Sequence, residues 1–177
     1  YVLRLKEART ARYVATHDAF RGDMHVAVAD MAIFDSRALL RLLRGQQREA
    51  LKRHLLQCRA VVLDGNLSIE EIACAASVGH ELGALVFFEP TSAAKAYKAA
   101  AACCLHLITA IFPNRAELAA IGDFLSARDA QPGASPEQTS ELAARCVLQR
   151  GVKRVYETRG AHGVVSYRTD AEGRVQR

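Results

Sequence analysis

The sequence predicts an α/β protein: a mostly parallel, doubly wound sheet with helices on both faces, preceded by a small antiparallel β lid. Three observations carry that prediction. Short apolar runs such as Ala60-Val61-Val62-Leu63 and Leu85-Val86-Phe87-Phe88 recur between segments of helical period. Each run ends in polar, turn-forming residues: Asp64-Gly65-Asn66, Glu89-Pro90-Thr91-Ser92, Pro113-Asn114 and Thr158-Arg159-Gly160. Residues 1–34 break that rhythm, with β-formers and no helical pattern between them.

Taken in order, residues 1–6, 10–16 and 24–30 read as strands of the lid segment 1–34, and Phe20-Arg21-Gly22-Asp23 as the turn between the last two. From Ser36 the period changes. Ser36 can cap a helix that carries Leu39, Leu40, Leu42 and Leu43 and ends near Gly45, and a second helix covers 47–57. Residues 59–63 form an apolar strand. Ser68 then opens a helix with Glu70 and Glu71 in its first turn, ending near Leu82-Gly83. A strand over 84–88, another helix, a strand near 105–109 and a helix at Asn114 follow. Ser135-Pro136-Glu137 starts a further helix, and 152–157 and 163–167 are the last strands. Residues 35–177 thus read as one incomplete α/β domain.

The bulk numbers fit a soluble globular chain. Of 177 residues, 50% are hydrophobic and 24% charged, enough for one buried core. No apolar run reaches the length of a membrane span, and nothing at the start resembles a signal peptide. The net charge of +5 is spread as scattered Arg. The densest group, Arg37, Arg41, Arg44, Arg48 and Arg53, reads as a solvated helix face rather than a nucleic-acid surface, since no aromatic residues interleave it. Five Cys without metal spacing, two of them adjacent at Cys103-Cys104, read as reduced packing residues of an intracellular, cytoplasmic protein. The chain opens without Met inside an expected strand, which is the expectation for a fragment.

Open parallel sheets bind ligands in the crevice beyond the carboxyl ends of their strands. There the sequence places Asp64 and Asn66, then Glu89, Thr91 and Ser92, then Asn114 and Glu117, then residues 158–163. Asn114 and Glu117 are three apart at a helix mouth, so they share a face and adjoin free N–H groups suited to phosphate. The same pair is also an ordinary capping box. Asp64-Gly65-Asn66 is equally a common turn, and His162 a loop residue. Gly160 and Gly163 form no Walker loop, because no Lys-Ser/Thr follows. Convergence of four strand ends favours a nucleotide or sugar-phosphate site.

These strand-end segments, with Pro113-Asn114-Arg115-Ala116-Glu117-Leu118 and Thr158-Arg159-Gly160-Ala161-His162-Gly163, resemble the ribokinase-like (phosphofructokinase B-type) carbohydrate kinases. Residues 9–13, 22–31 and 88–96 look more narrowly like the pseudouridine kinase branch. The resemblance implies an ATP- and Mg²⁺-dependent transfer of phosphate to a 5′-hydroxyl, most readily that of pseudouridine. It implies that Asp64 and Asn66 hold the sugar and that Asn114, Thr158, Arg159, Gly160 and Gly163 line the nucleotide. Glu117 is implied to order Mg²⁺, and the lid to cover the sugar and to join two subunits as a homodimer.

Two departures qualify the resemblance. The family's amino-terminal Gly-Gly element is missing, and so is the Gly-x-Gly-Asp motif that supplies the anion hole and the proton acceptor. The expected catalytic Asp would lie beyond residue 177, so no catalytic residue is expected within the chain, and the chain alone is expected to be inactive. Other expectations are a kinase for ribose or adenosine, or a non-catalytic nucleoside-binding module. Neither nucleic acid nor membrane is an expected partner.

Overall fold

The computed structural model describes residues 2–20, 24–126 and 135–177. Two strands, β1 (Arg12–His17) and β2 (Met24–Asp30), pair antiparallel, with Val14 opposite Val28. Helices α1 (Ala38–Arg44) and α2 (Arg48–Leu55) follow. The main sheet contains β3 (Ala60–Asp64), β4 (Leu85–Glu89), β5 (Ala110–Ile111), β6 (Arg154–Thr158), β7 (Val164–Thr169) and β8 (Val175–Gln176), hydrogen-bonded in that order. β3 through β6 run parallel, β7 pairs antiparallel with β6, and β8 antiparallel with β7. Between the parallel strands lie α3 (Ile69–Glu81), the short α4 (Ala93–Ala96) and α5 (Lys98–Ala101), then α6 (Arg115–Ser126) and α7 (Pro136–Gln149).

The expected α/β architecture holds: a mostly parallel sheet flanked by helices, with a separate small antiparallel sheet. Local chemistry sets the helix starts. Ser68 accepts from the Glu71 N–H while the Glu71 carboxylate accepts from the Ser68 N–H, a full capping box that Ser135 and Gln138 repeat at α7. The core joins Leu63, Val86, Phe88, Ile111 and Val155 from the strands to Ile72, Leu118 and Val147 from α3, α6 and α7. Burial across the sheet is uneven. The alternate positions Val62 and Leu85 are 73% and 50% exposed, and a half-buried aromatic row, Phe87–Phe112–Tyr156, crosses the same face with ring centroids 5.8 and 5.3 Å apart.

Several expected elements differ. Residues 2–5 form no strand; the β-formers there have no neighbouring strand to pair with, and propensity without a partner makes no ladder. The Phe20–Asp23 turn lies at Arg21, Gly22 and Asp23 outside the described residues. The first helix starts at Ala38, because a 3₁₀ turn over Ala32–Ser36 precedes it and Arg37 takes a left-handed conformation (φ 50°). Ser36 still contributes, its hydroxyl accepting from the Ala38 N–H at 3.3 Å.

The strand expected near 105–109 is instead a 3₁₀ turn at Leu105–Leu107, with β5 confined to Ala110–Ile111. Leu105 and Ile108 are both buried at a spacing of three, a helical rather than an alternating pattern. β8 is too short to leave a sequence pattern.

Two composition readings gain detail. The Arg group is mostly exposed, as expected, and part of it also fastens α1 and α2 to α3: Arg37, just before α1, reaches Glu70 at 3.3 Å, and Arg48 and Lys52 of α2 reach Glu81 at 2.6 and 3.0 Å. Such exposed pairs contribute about 0.2–1 kcal/mol each. Of the adjacent cysteines, Cys104 packs in the core, where burial pushes its thiol up to about 11, while Cys103 is exposed with φ 53°.

Candidate functional site

Asp64 and Glu89 end neighbouring parallel strands in register, which brings two carboxylates to one corner of the sheet. The turn after Asp64 closes on itself: Asp64 accepts from the Asn66 N–H at 2.9 Å and from the Asn66 amide at 3.1 Å. Gly65 packs so tightly under the β4 loop that a Cβ there would lie 2.2 Å from the Pro90 carbonyl oxygen. The Gly65 N–H donates to both the Glu89 carbonyl and the Thr91 hydroxyl, at 2.9 and 3.0 Å. Thr91 in turn donates to the Glu89 carboxylate at 3.2 Å, from a left-handed backbone (φ 71°). A β-branched residue there costs on the order of 1–3 kcal/mol, a strain of the kind stored at ligand sites.

Two lysines that sequence reasoning missed hold this corner from below. Lys95 donates to the Asn66 side-chain oxygen at 2.7 Å, and Lys98 to the Gly65 and Leu67 carbonyls at 2.8 and 2.9 Å. Burial and the neighbouring Lys95 draw the Lys98 ammonium below its ordinary value. Their signal was available. They lie three and six residues after Ser92, Lys95 in α4 and Lys98 at the start of α5.

Further along the same edge, Asn114 and Glu117 form the reciprocal box expected of them. Asn114 accepts from the Glu117 N–H at 2.9 Å, and the Glu117 carboxylate accepts from the Asn114 N–H at 2.8 Å. The cap therefore exists, and it leaves Asn114 exposed at the mouth and Glu117 only 5% exposed behind it. Burial raises the Glu117 carboxyl, the Asn114 N–H opposes that, and the negative charge of Glu89 raises it further. β6 brings the last segment alongside: Asn114 bridges to Thr158, and the Thr158 N–H donates to the Pro113 carbonyl at 2.8 Å.

Residues 158–163 form a closed turn in which Arg159 donates from its N–H to the Gly163 carbonyl at 2.8 Å. Gly160 and Gly163 have φ of 56° and 80°, which explains glycine at both, and each is exposed with open space where a Cβ would point. The Arg159 guanidinium is committed inward. It meets Glu157 at 2.7 Å and Tyr167 at 3.3 Å, so the residue presents its backbone to the turn. Glu157 itself is fully buried and was missed, although it stands in phase with the inward-facing Val155 on β6.

Four strand ends thus lie along one edge in the order Asp64, Glu89, Asn114 with Glu117, and Thr158. The arrangement offers carboxylates for hydroxyl groups at one end and backbone N–H groups at a glycine turn and a helix mouth at the other. Its donor set fits Mg²⁺ in one respect: a cation would relieve both the burial of Glu117 and its repulsion by Glu89. Among the described residues no group of three His, Cys, Asp or Glu could hold a metal. A Mg²⁺ that kept its waters and came with phosphate would need no such cage of protein ligands. A separate cavity of about 390 Å³ lies between α1, α2 and α3, lined by Arg44, Arg48, Cys74 and Ser77. It is remote from the strand ends, and Arg48 is already paired with Glu81.

No protein-family model and no curated protein matches this chain. Solved structures do. A carbohydrate kinase from Agrobacterium tumefaciens is 22% identical with a TM-score of 0.66, over 93% of this chain and 46% of that one. A ribokinase from Arabidopsis thaliana complexed with ribose and ATP is 16% identical with a TM-score of 0.62, over 95% of this chain and 47% of that one. An adenosine kinase from Sinorhizobium meliloti is 14% identical with a TM-score of 0.56, over 95% and 46%. These likenesses define the fold as ribokinase-like, the fold of sugar and nucleoside kinases. The chain spans about half the length of the structures it matches.

Proposed function

We propose that this chain is the sugar- and nucleotide-holding part of an ATP-dependent kinase that phosphorylates the 5′-hydroxyl of a nucleoside-like sugar, pseudouridine foremost. The observation that carries the proposal is the row of Asp64, Glu89, Asn114–Glu117 and the glycine turn along one sheet edge. Asp64 accepts a hydroxyl hydrogen bond from the sugar, with Asn66 beside it, and a site built on such acceptors rejects analogues lacking the hydroxyl. Asn114 and Thr158 turn side-chain polar atoms toward the phosphates, and Gly160 and Gly163 let the backbone of the turn approach them closely, with Arg159 supporting the turn from within. Bound with the nucleotide, Mg²⁺ would neutralise phosphate charge, and Glu117 is the residue that would hold it, through water. Pseudouridine rather than ribose or adenosine rests on the resemblance in residues 9–13, 22–31 and 88–96.

The sequence contains no Gly-x-Gly-Asp motif, the element that in the resemblance supplies the proton acceptor. By itself the chain binds and does not transfer. The same reading makes residues 1–34 the lid over a core formed by 35–177. On that lid Val14, Val26 and Val28 share one face, 67%, 57% and 70% exposed, which suits a homodimer contact. No helix among the described residues is long and apolar enough to cross a membrane.

Calorimetric titration of the chain with ATP and Mg²⁺, then with pseudouridine, adenosine and ribose, tests the proposal. Saturable ATP binding without turnover is expected, and pseudouridine should bind most tightly. Absence of ATP binding at millimolar concentration sinks the nucleotide assignment. Adenosine or ribose binding better than pseudouridine sinks the substrate assignment.

A further inference from the structure

The Glu157 carboxylate is the meeting point of four elements. Its Oε1 accepts from Arg115 Nε of α6 at 3.3 Å and from the Ser140 hydroxyl of α7 at 3.0 Å. Its Oε2 accepts from Arg159 at the end of β6 at 2.7 Å and from the Tyr167 hydroxyl of β7 at 2.9 Å. Four donors fill the four acceptor positions of an ionised carboxylate. Arg115 is the first residue of α6, between Asn114 and Glu117, and Arg159 opens the glycine turn. One buried group therefore ties together the two segments that form the nucleotide end of the site. Ordinary core packing would put an apolar residue at this inward position, since burying an ion pair gains little over hydrophobic contact.

We propose that Glu157 is a positioning residue for the nucleotide-phosphate end of the site, acting through Arg115 on the mouth of α6 and through Arg159 on the 158–163 turn. This rests on the nucleotide reading above. Two features favour positioning over mere stability. The Arg159 Nε is buried without a hydrogen-bond partner, the one such side-chain atom among the described residues, so the guanidinium is held by Glu157 and Tyr167 at the cost of an unmet Nε donor. And both guanidiniums lean on one carboxylate, so displacing either changes the pairing of the other.

The test compares the native chain with E157Q and S140A at a temperature where each is folded. Two readouts are taken: the ATP dissociation constant in the presence of Mg²⁺, and hydrogen exchange of single amides. E157Q should weaken ATP binding by about tenfold. It should also speed exchange of the Thr158, Arg159 and Leu118 amides by about tenfold, with Val86 and Phe88 unchanged. S140A removes one hydrogen bond but leaves both arginines on the carboxylate, so ATP affinity should stay within about twofold.

Unchanged exchange at both segments in E157Q overturns the proposal. So does unchanged ATP affinity, or an equal loss of affinity in S140A, which would mark the cluster as structural only. If the native chain binds no ATP, the nucleotide reading falls and the exchange comparison alone decides this one. If E157Q does not fold, R159K, which keeps the charge but loses the fork, is judged by the same two readouts.

Discussion

Glu117 and Glu157 stand at the same edge of one sheet, 5% and 0% exposed, and burial has opposite outcomes for them. Both lose hydration, which by itself raises a carboxyl. At Glu157, hydrogen bonds from Arg159, Tyr167, Ser140 and Arg115 overcome that and hold the carboxyl below its usual range. At Glu117 the backbone N–H of Asn114 offsets only part of that loss, and Glu89 works against it, so the carboxyl stays raised. Depth is equal; the number and charge of the donors decide. A saturated carboxylate is finished as a ligand and serves the structure around it. An under-satisfied one retains capacity for an incoming cation, which is why the proposal gives the metal to Glu117 and the scaffold to Glu157.

The largest expected effect is at Glu157. E157Q leaves Arg159, whose side chain is 11% exposed, without its counter-charge, and breaking a buried pair costs on the order of 3–5 kcal/mol. Urea unfolding at pH 7 measures it. The pH dependence gives the sign. A carboxyl lowered by folding stabilises fully above its unfolded value of about 4.3, and that contribution is lost as pH falls through the lower folded value. The gap between native chain and E157Q should therefore narrow in acid. A constant gap from pH 7 to pH 3 would mean that charge is not what Glu157 contributes. S140A, which removes one donor to the same carboxylate, should cost less, about 1.5–3 kcal/mol by the same assay.

E117Q reverses the slope. Glutamine at the third helical position still completes the capping box, so α6 keeps its start. Because folding raises the Glu117 carboxyl, the native chain loses stability as pH rises above the unfolded value of about 4.3, and E117Q does not. E117Q should gain on the native chain between pH 4 and pH 7, by up to about 1 kcal/mol, the order of one imperfectly satisfied polar group. Titration of ATP with and without Mg²⁺ should show the metal dependence reduced in this variant. Parallel pH slopes for E117Q and E157Q would remove the contrast between the two carboxylates.

What the sequence showed of this contrast depended on how local each feature is. The box at Asn114 and Glu117 is three residues long, and residue type with spacing states it fully. Ser68 with Glu71 was legible for the same reason, and so were β3 and β4, whose apolar runs and polar ends fall within a few residues. The Glu157 cluster joins Arg115, Ser140 and Tyr167 from three other elements, and no spacing encodes that. Only a charge in phase with the apolar Val155 in Arg154-Val155-Tyr156-Glu157-Thr158 hinted at it. β5 failed differently: Leu105 and Ile108 are apolar and buried, but Leu105–Leu107 turns as a 3₁₀ segment, and composition alone does not separate those cases. The commitment of Arg159 inward was likewise invisible, since its residue type suits a phosphate as well as a carboxylate.

The smallest expected effect tests the like-charge term directly. Glu89 is exposed at the end of β4, and its negative charge is one of two reasons the Glu117 carboxyl is raised. E89Q keeps an acceptor for the Thr91 hydroxyl, so the Gly65–Thr91 corner should stay intact. Removing the charge should bring the Glu117 carboxyl part of the way back toward its ordinary value, observable by NMR titration of its side-chain carbon. The change in stability should be no more than about 0.5 kcal/mol, as for other exposed substitutions. Burial of Glu117 is untouched by E89Q, so the value should remain above the ordinary range. A complete return would show that repulsion, not depth, separates Glu117 from Glu157, and no movement at all would show that desolvation alone does.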